Sequence, residues 1–135
     1  MTSKEYLKKY KDLFEREEYF ESKIKYCTEA MQHFYVQPDS YYYKERSKEK
    51  AEAEEAIKEI KLEQKKIRDK VKQIDDDFLK DLIIYRYIDF LSWEDVTEAL
   101  NIKHDPRSIN NIKQYSHKRA LEALQDIIDN KTMRQ

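Results

Sequence analysis

Glycine is absent from this chain of 135 residues, and proline occurs only twice. Tight primed hairpins, glycine-rich phosphate loops and dinucleotide-binding fingerprints all need glycine, so the sequence excludes them. A single cysteine, Cys27, cannot form an internal disulfide, which fits a reducing cytosol. No apolar run approaches the length of a membrane span, and the mean hydropathy is −1.05. Lys4, Glu5, Lys8 and Lys9 break any apolar core that a signal peptide would need. These features lead to the expectation of a cytoplasmic protein that does not span a membrane.

What is present is charge and helix-forming residues. Asp, Glu, Lys and Arg make up 41% of the chain, yet the formal net charge is −1. Ala, Glu, Lys, Leu and Arg dominate the composition, as in long-helix and coiled-coil proteins. The near-neutral total hides a change of sign. Residues 75–100 carry a surplus of six negative charges, and residues 101–119 a surplus of four positive charges. Such a switch within one small unit marks a local anion-binding face.

The front half repeats its apolar residues with a heptad rhythm. Tyr6, Tyr10, Leu13, Phe20, Ile24, Cys27, Met31 and Phe34 alternate steps of four and three, and Glu17 interrupts them. A helix from Lys4 to Phe34 would be roughly 45 Å long and could not bury this seam alone. After a break at Val36-Gln37-Pro38-Asp39-Ser40, the rhythm resumes through Ala53, Ile57, Ile60, Gln64, Ile67, Val71, Ile74 and Phe78. The simplest arrangement is an antiparallel hairpin of two long helices over residues 1–74. A homodimer joined through the same seams is the alternative, with Glu17 and Gln64 as register markers. Tyr41-Tyr42-Tyr43 is expected to cover the end of the hairpin.

From Asp77 the helices shorten, and residues 75–130 read as a second unit. The Asp75-Asp76-Asp77 run marks a helix start. Phe78, Leu79, Leu82, Ile83, Tyr85, Arg86 and Ile88 form one helix. Ser92 is the expected N-cap of the next, with Asp95 three residues on and Trp93, Val96, Ala99 and Leu100 on one face, Trp93 largely buried. This helix is expected to end at Asn101, in the left-handed conformation. Asp105 and Pro106 are expected to start the third helix as N-cap and first residue.

That third helix has two faces. Ile109, Ile112, Ser116, Ala120, Ala123, Leu124 and Ile127 suit a core. Arg107, Asn110, Asn111 and Gln114 are the side-chain types that pair with base edges in the major groove. Lys103, Lys113, His117, Lys118 and Arg119 are placed for phosphates. Helix, turn and polar-basic helix together read as a helix-turn-helix that binds double-stranded DNA. His33, His104 and His117 form no metal-ligand pattern, and Cys27 sits on an apolar seam. The sequence therefore points to no enzyme, no metal and no cofactor. Asn130-Lys131-Thr132 matches a glycosylation sequon without any sign of secretion.

The stretch Leu82-Ile83-Ile84-Tyr85-Arg86-Tyr87-Ile88-Asp89-Phe90-Leu91-Ser92-Trp93-Glu94-Asp95-Val96-Thr97-Glu98-Ala99-Leu100 resembles the LRYIDGLSWEEIAEEL pattern of region four of bacterial sigma factors. His117-Lys118-Arg119-Ala120-Leu121-Glu122-Ala123-Leu124 resembles its H-x-R-A-L-E-x-L close. With a long helical front half, the chain is similar to the sigma-like late transcription regulators of phages and prophages, the RinA and ArpU type. The resemblance implies an all-α protein with a C-terminal sigma-region-four-like helix-turn-helix. It also implies an activator of late genes in a bacterial host cell, acting with the host RNA polymerase. The acidic side of the motif would then face the polymerase, away from DNA. Asn101 stands where the family has its usual glycine, and the stretch from Leu100 to His117 is longer than the family pattern. Another reading of the same elements is a small terminase-like DNA-packaging subunit. A third is a protein-interaction factor that does not bind DNA.

Overall fold

A computed structural model describes residues 1–130, which leaves Lys131 and Thr132 of the sequon outside the described residues. Among these residues the protein is all helical, with no strand. The helices are α1 (Ser3–Gln32), α2 (Tyr41–Val71), α3 (Asp77–Ile83), α4 (Trp93–Lys103), α5 (Ile109–Asn111) and α6 (His117–Asn130). A π-helical turn, Ile84–Ile88, continues α3, and a second, Ile112–Ser116, joins α5 to α6 without a break. No described helix is long and apolar enough to cross a membrane. The chain divides into two compact units, one of residues 12–64 and one of residues 1–11 with the chain from residue 65 onward.

In the first of these, Leu13, Cys27, Ala53, Ile60 and Gln64 are buried. Gln64 Nε2 donates to Glu17 Oε1 at 3.3 Å, and Cys27 Sγ lies 3.7 Å from Glu49 Oε2. Later residues of α1 therefore meet earlier residues of α2. Of the seam positions in this unit, Leu13, Cys27, Ala53, Ile60 and Gln64 are buried, while Phe20, Ile24, Met31 and Ile57 are half-buried. Helix α1 ends at Gln32, two residues before Phe34, which is 77% exposed. Ser40 restarts the helix: its Oγ accepts from the Tyr43 N–H at 3.1 Å. The expected cover by the tyrosine run is incomplete, because Tyr41 is 79% exposed while Tyr43 is half-buried.

The second unit holds a continuous apolar core of Leu7, Val71, Ile74, Phe78, Leu79, Leu82, Ile83, Val96, Leu100, Ile112, Ala120 and Leu124. The sequence rhythm runs through Ile74 and Phe78, but α2 stops at Val71. Three consecutive aspartates oppose the negative end of a helix and favour the positive end of the next. Asp76 accordingly caps α3, accepting from the Leu79 N–H at 3.0 Å. Ile74 and Phe78 remain in the core across the break. The first residues of the chain join this unit: Ser3 Oγ donates to the Leu121 carbonyl at 2.7 Å, and its N–H donates to Gln125 at 2.8 Å. Residues 1–11 and 65–74, read from the sequence as part of the hairpin unit, thus contribute to the C-terminal core.

The π turn after α3 ends in an unusual corner. The Asp89 N–H donates to the Ile84 carbonyl at 2.8 Å, and Phe90 follows with φ of 59°. This left-handed conformation is costly for a bulky residue. Ser92 then caps α4, accepting from the Asp95 N–H at 3.2 Å, as its sequence predicts.

Candidate nucleic-acid interface

The two helices of the expected motif are α4 and the continuous stretch from α5 through α6. Helix α4 runs past Asn101 to Lys103, so Asn101 is helical and not a left-handed cap. Its side chain does a different job. Asn101 Oδ1 accepts from the Arg107 N–H at 2.9 Å, and Asn101 Nδ2 donates to the Arg107 carbonyl at 3.1 Å. These two bonds clip the loop 104–108 to α4 and satisfy both backbone groups of Arg107. The following helix starts at Ile109 with Ser108 as N-cap, its Oγ accepting from the Asn111 N–H at 3.1 Å. Asp105 and Pro106 belong to the loop. The start lies three residues later than Asp-Pro suggests, because the Asn101 clip holds Arg107 in the loop.

Burial along the second helix follows the widened turn. Ile112, Ser116, Ala120 and Leu124 are all buried, at steps of four. In a regular helix of 3.6 residues per turn such a row would drift away from the core. The π turn absorbs part of the drift, and Ser116 Oγ meets Asn111 Oδ1, five residues back, at 3.5 Å. The outward side presents Asn110, Asn111, Lys113, Gln114, Lys118 and Arg119, all exposed. Tyr115 is 66% exposed on the same side. Its place four residues from both Asn111 and Arg119 sets it on this face, although a tyrosine offers neither a cation nor an amide as a sequence signal.

Three expected contact residues also make contacts within the protein. The Arg107 guanidinium lies 3.9 Å from the centre of the Phe78 ring and donates to Ser116 Oγ at 3.3 Å. Arg107 is therefore half-buried against the core, although it also lines a cleft with Ser108, Asn111, Tyr115 and Arg119. Lys103 Nζ pairs with Asp81 Oδ2 at 2.9 Å, and His104 Nε2 meets the same oxygen at 2.8 Å. Burial alone would raise the Asp81 carboxyl, but the bonds from His104 and Lys103 outweigh it and hold it below the usual carboxylate range. The same pairing raises Lys103.

His117 is the third. Its Nε2 lies 2.6 Å from the Tyr87 hydroxyl, and its ring stands edge-on to Trp93, with centroids 4.8 Å apart. Burial lowers its pKa, and the nearby charges of Lys4 and Arg86 lower it further. Half-buried and held toward the neutral form, His117 packs against Tyr87 and Trp93. Trp93, expected in the core, is also half-buried, with the Arg86 guanidinium 4.7 Å above its ring. Among the described residues no group of histidine, cysteine, aspartate and glutamate could hold a metal ion. Comparison with family models, with curated proteins and with solved structures finds no match for this chain.

Proposed function

We propose that this chain is a sequence-specific DNA-binding regulator of transcription. In this reading α1 and α2 form an antiparallel helical hairpin, and α4 with α5–α6 forms a helix-turn-helix of the sigma region-four kind. One observation carries the proposal: the outward row of Asn110, Asn111, Lys113, Gln114, Lys118 and Arg119. No carboxylate occurs between Asp105 and Glu122, in a chain with 28 acidic residues. A solvated helix face in such a chain would carry both signs.

Asn110 and Gln114, one turn apart near the start of the helix, are the base readers, since paired hydrogen bonds suit adenine edges. Asn111 flanks them. Arg107, tied to Phe78 and Ser116, positions the loop and reaches DNA only through its remaining N–H groups. Lys113, Lys118 and Arg119 serve phosphates. The resemblance to phage and prophage late regulators adds the expectation of a late-gene activator that works with host RNA polymerase.

The test is a binding titration at fixed salt, after selecting bound fragments from the parent genome. Asn110→Ala and Gln114→Ala should each cost about 1–3 kcal/mol on the selected site and leave a scrambled duplex nearly unaffected. Equal loss on both duplexes, or none on either, would remove the readers from the DNA.

A further inference from the structure

Lys4, Lys8 and Lys11 lie on one face of α1, at steps of four and three, close to its positive end. The helix dipole disfavours the cation of Lys4, which lies in the first turn. Among the described residues no carboxylate pairs with any of the three. All three line a groove of about 340 Å³ together with Arg86. The Arg86 guanidinium is fixed on the groove wall by its bond to the Leu91 carbonyl at 2.9 Å and by the Trp93 ring. Four cations therefore line one depression, and two of them, Lys4 and Arg86, also act on the His117 ring, lowering its pKa beyond the effect of burial.

The floor has a different character. It is made of Leu7, Tyr87 and Phe90. Phe90 holds its position on a left-handed backbone with φ of 59°, and its ring lies 6.2 Å from that of Tyr10 while remaining 39% exposed. Duplex phosphates would meet the lysines but leave an apolar floor unfilled, because DNA backbone contacts are polar and charged. A segment that offers both carboxylates and an apolar side chain uses the whole groove.

We propose that this groove docks an acidic segment of a protein partner. An aromatic or leucine side chain sits on Phe90 and Tyr87, above the buried Leu7, and flanking carboxylates meet Lys4, Lys8, Lys11 and Arg86. The surface shares no residue with the α5–α6 row, so the proposal stands apart from the DNA-binding reading.

The probe is a short fluorescein-labelled peptide of aspartate and glutamate around a central phenylalanine and leucine. Its control has serine at both apolar positions. Fluorescence anisotropy with the full chain should show the control binding about 10-fold or more weakly, the effect of burying an apolar side chain. Lys8→Glu with Lys11→Glu should weaken the probe by about 10-fold or more. Both positions are exposed, so circular dichroism and the duplex affinity should stay unchanged. Phe90→Gly relieves the backbone while removing the most exposed part of the floor, and should shrink the difference between probe and control to about 3-fold or less. Equal binding by the wild type and the Lys8→Glu, Lys11→Glu variant overturns the proposal. So does equal binding of probe and control. Displacement of the probe by random duplex or by anionic vesicles, lost in the same variant, would also overturn it and give the groove to nucleic acid or lipid.

Discussion

Gln64 and Glu17, the two polar interruptions of the apolar seams on α2 and α1, are hydrogen-bonded to each other at 3.3 Å. Gln64 is 4% exposed, so its amide has little water to turn to if the partner is lost. Glu17→Leu should therefore cost about 1–2 kcal/mol, since an unsatisfied buried donor costs more than the bond contributes. Glu17→Leu combined with Gln64→Leu should recover most of that loss. Urea unfolding of the two single variants and the double variant measures the coupling. Strict additivity would mean that the pair makes no bond in solution.

Phe90 invites a comparison of two small replacements. Both Phe90→Ala and Phe90→Gly lose the ring beside Tyr10. Only glycine adopts φ of 59° without a steric penalty. The glycine variant should be the more stable of the two by about 1 kcal/mol. Thermal unfolding at matched pH decides it, and an alanine variant as stable as the glycine one would show that the corner relaxes.

The contrast between Ser92 and Asp105 shows how much of the fold was legible in the sequence. Ser92, Asp76 and the buried row from Ile112 to Leu124 follow from capping chemistry and apolar spacing, and the structure has all three. Asp105-Pro106 satisfies the same local rules but is overruled by the Asn101 side chain, which reaches six residues ahead to hold Arg107. Side-chain clips of that kind have no period and no motif. The π turns are equally hidden, because spacing arguments assume 3.6 residues per turn. For the candidate interface, exposure of Asn110, Gln114, Lys113, Lys118 and Arg119 was readable from the helix face. The contacts that Lys103 and His117 make within the protein were not. They depend on Asp81 and Tyr87, which come from a different helix and a different turn.

Asp81 and His117 together shape the response to acid. His117 has a folded pKa below its ordinary value, so between the two values the unfolded chain binds more protons. Stability is fully present above about pH 6.5, the unfolded value, and falls as pH drops toward the folded one. Asp81 behaves alike in a lower window, losing its contribution as pH falls from about 4 through its depressed folded value. Unfolding free energies between pH 7 and pH 5 should decline in the wild type and flatten in His117→Gln. Asp81→Asn should leave that decline intact and flatten only the more acidic limb. A decline of the same size in His117→Gln would assign the near-neutral titration to another group.

The salt dependence of DNA binding separates the cations that are free from those that are engaged. Each phosphate neutralised by a cation adds about 0.9 to the slope of log affinity against log salt. Lys113, Lys118 and Arg119 are exposed along α5–α6 and its π turn, so replacing all three with Ala should flatten the slope by about 2–3 and weaken all duplexes alike. Lys103 spends its charge on Asp81 at 2.9 Å, and His117 is held near Tyr87 and Lys4 in a field that disfavours its cation. Lys103→Ala and His117→Gln should therefore leave the slope unchanged, whatever they do to stability. Fluorescence titrations with one duplex across a range of potassium chloride concentrations measure all three slopes. An unchanged slope in the triple variant would take this helix off the DNA. A slope lowered by about one in Lys103→Ala would mean instead that binding pulls Lys103 away from Asp81, and the acid-limb contribution of Asp81 would then shrink in the complex.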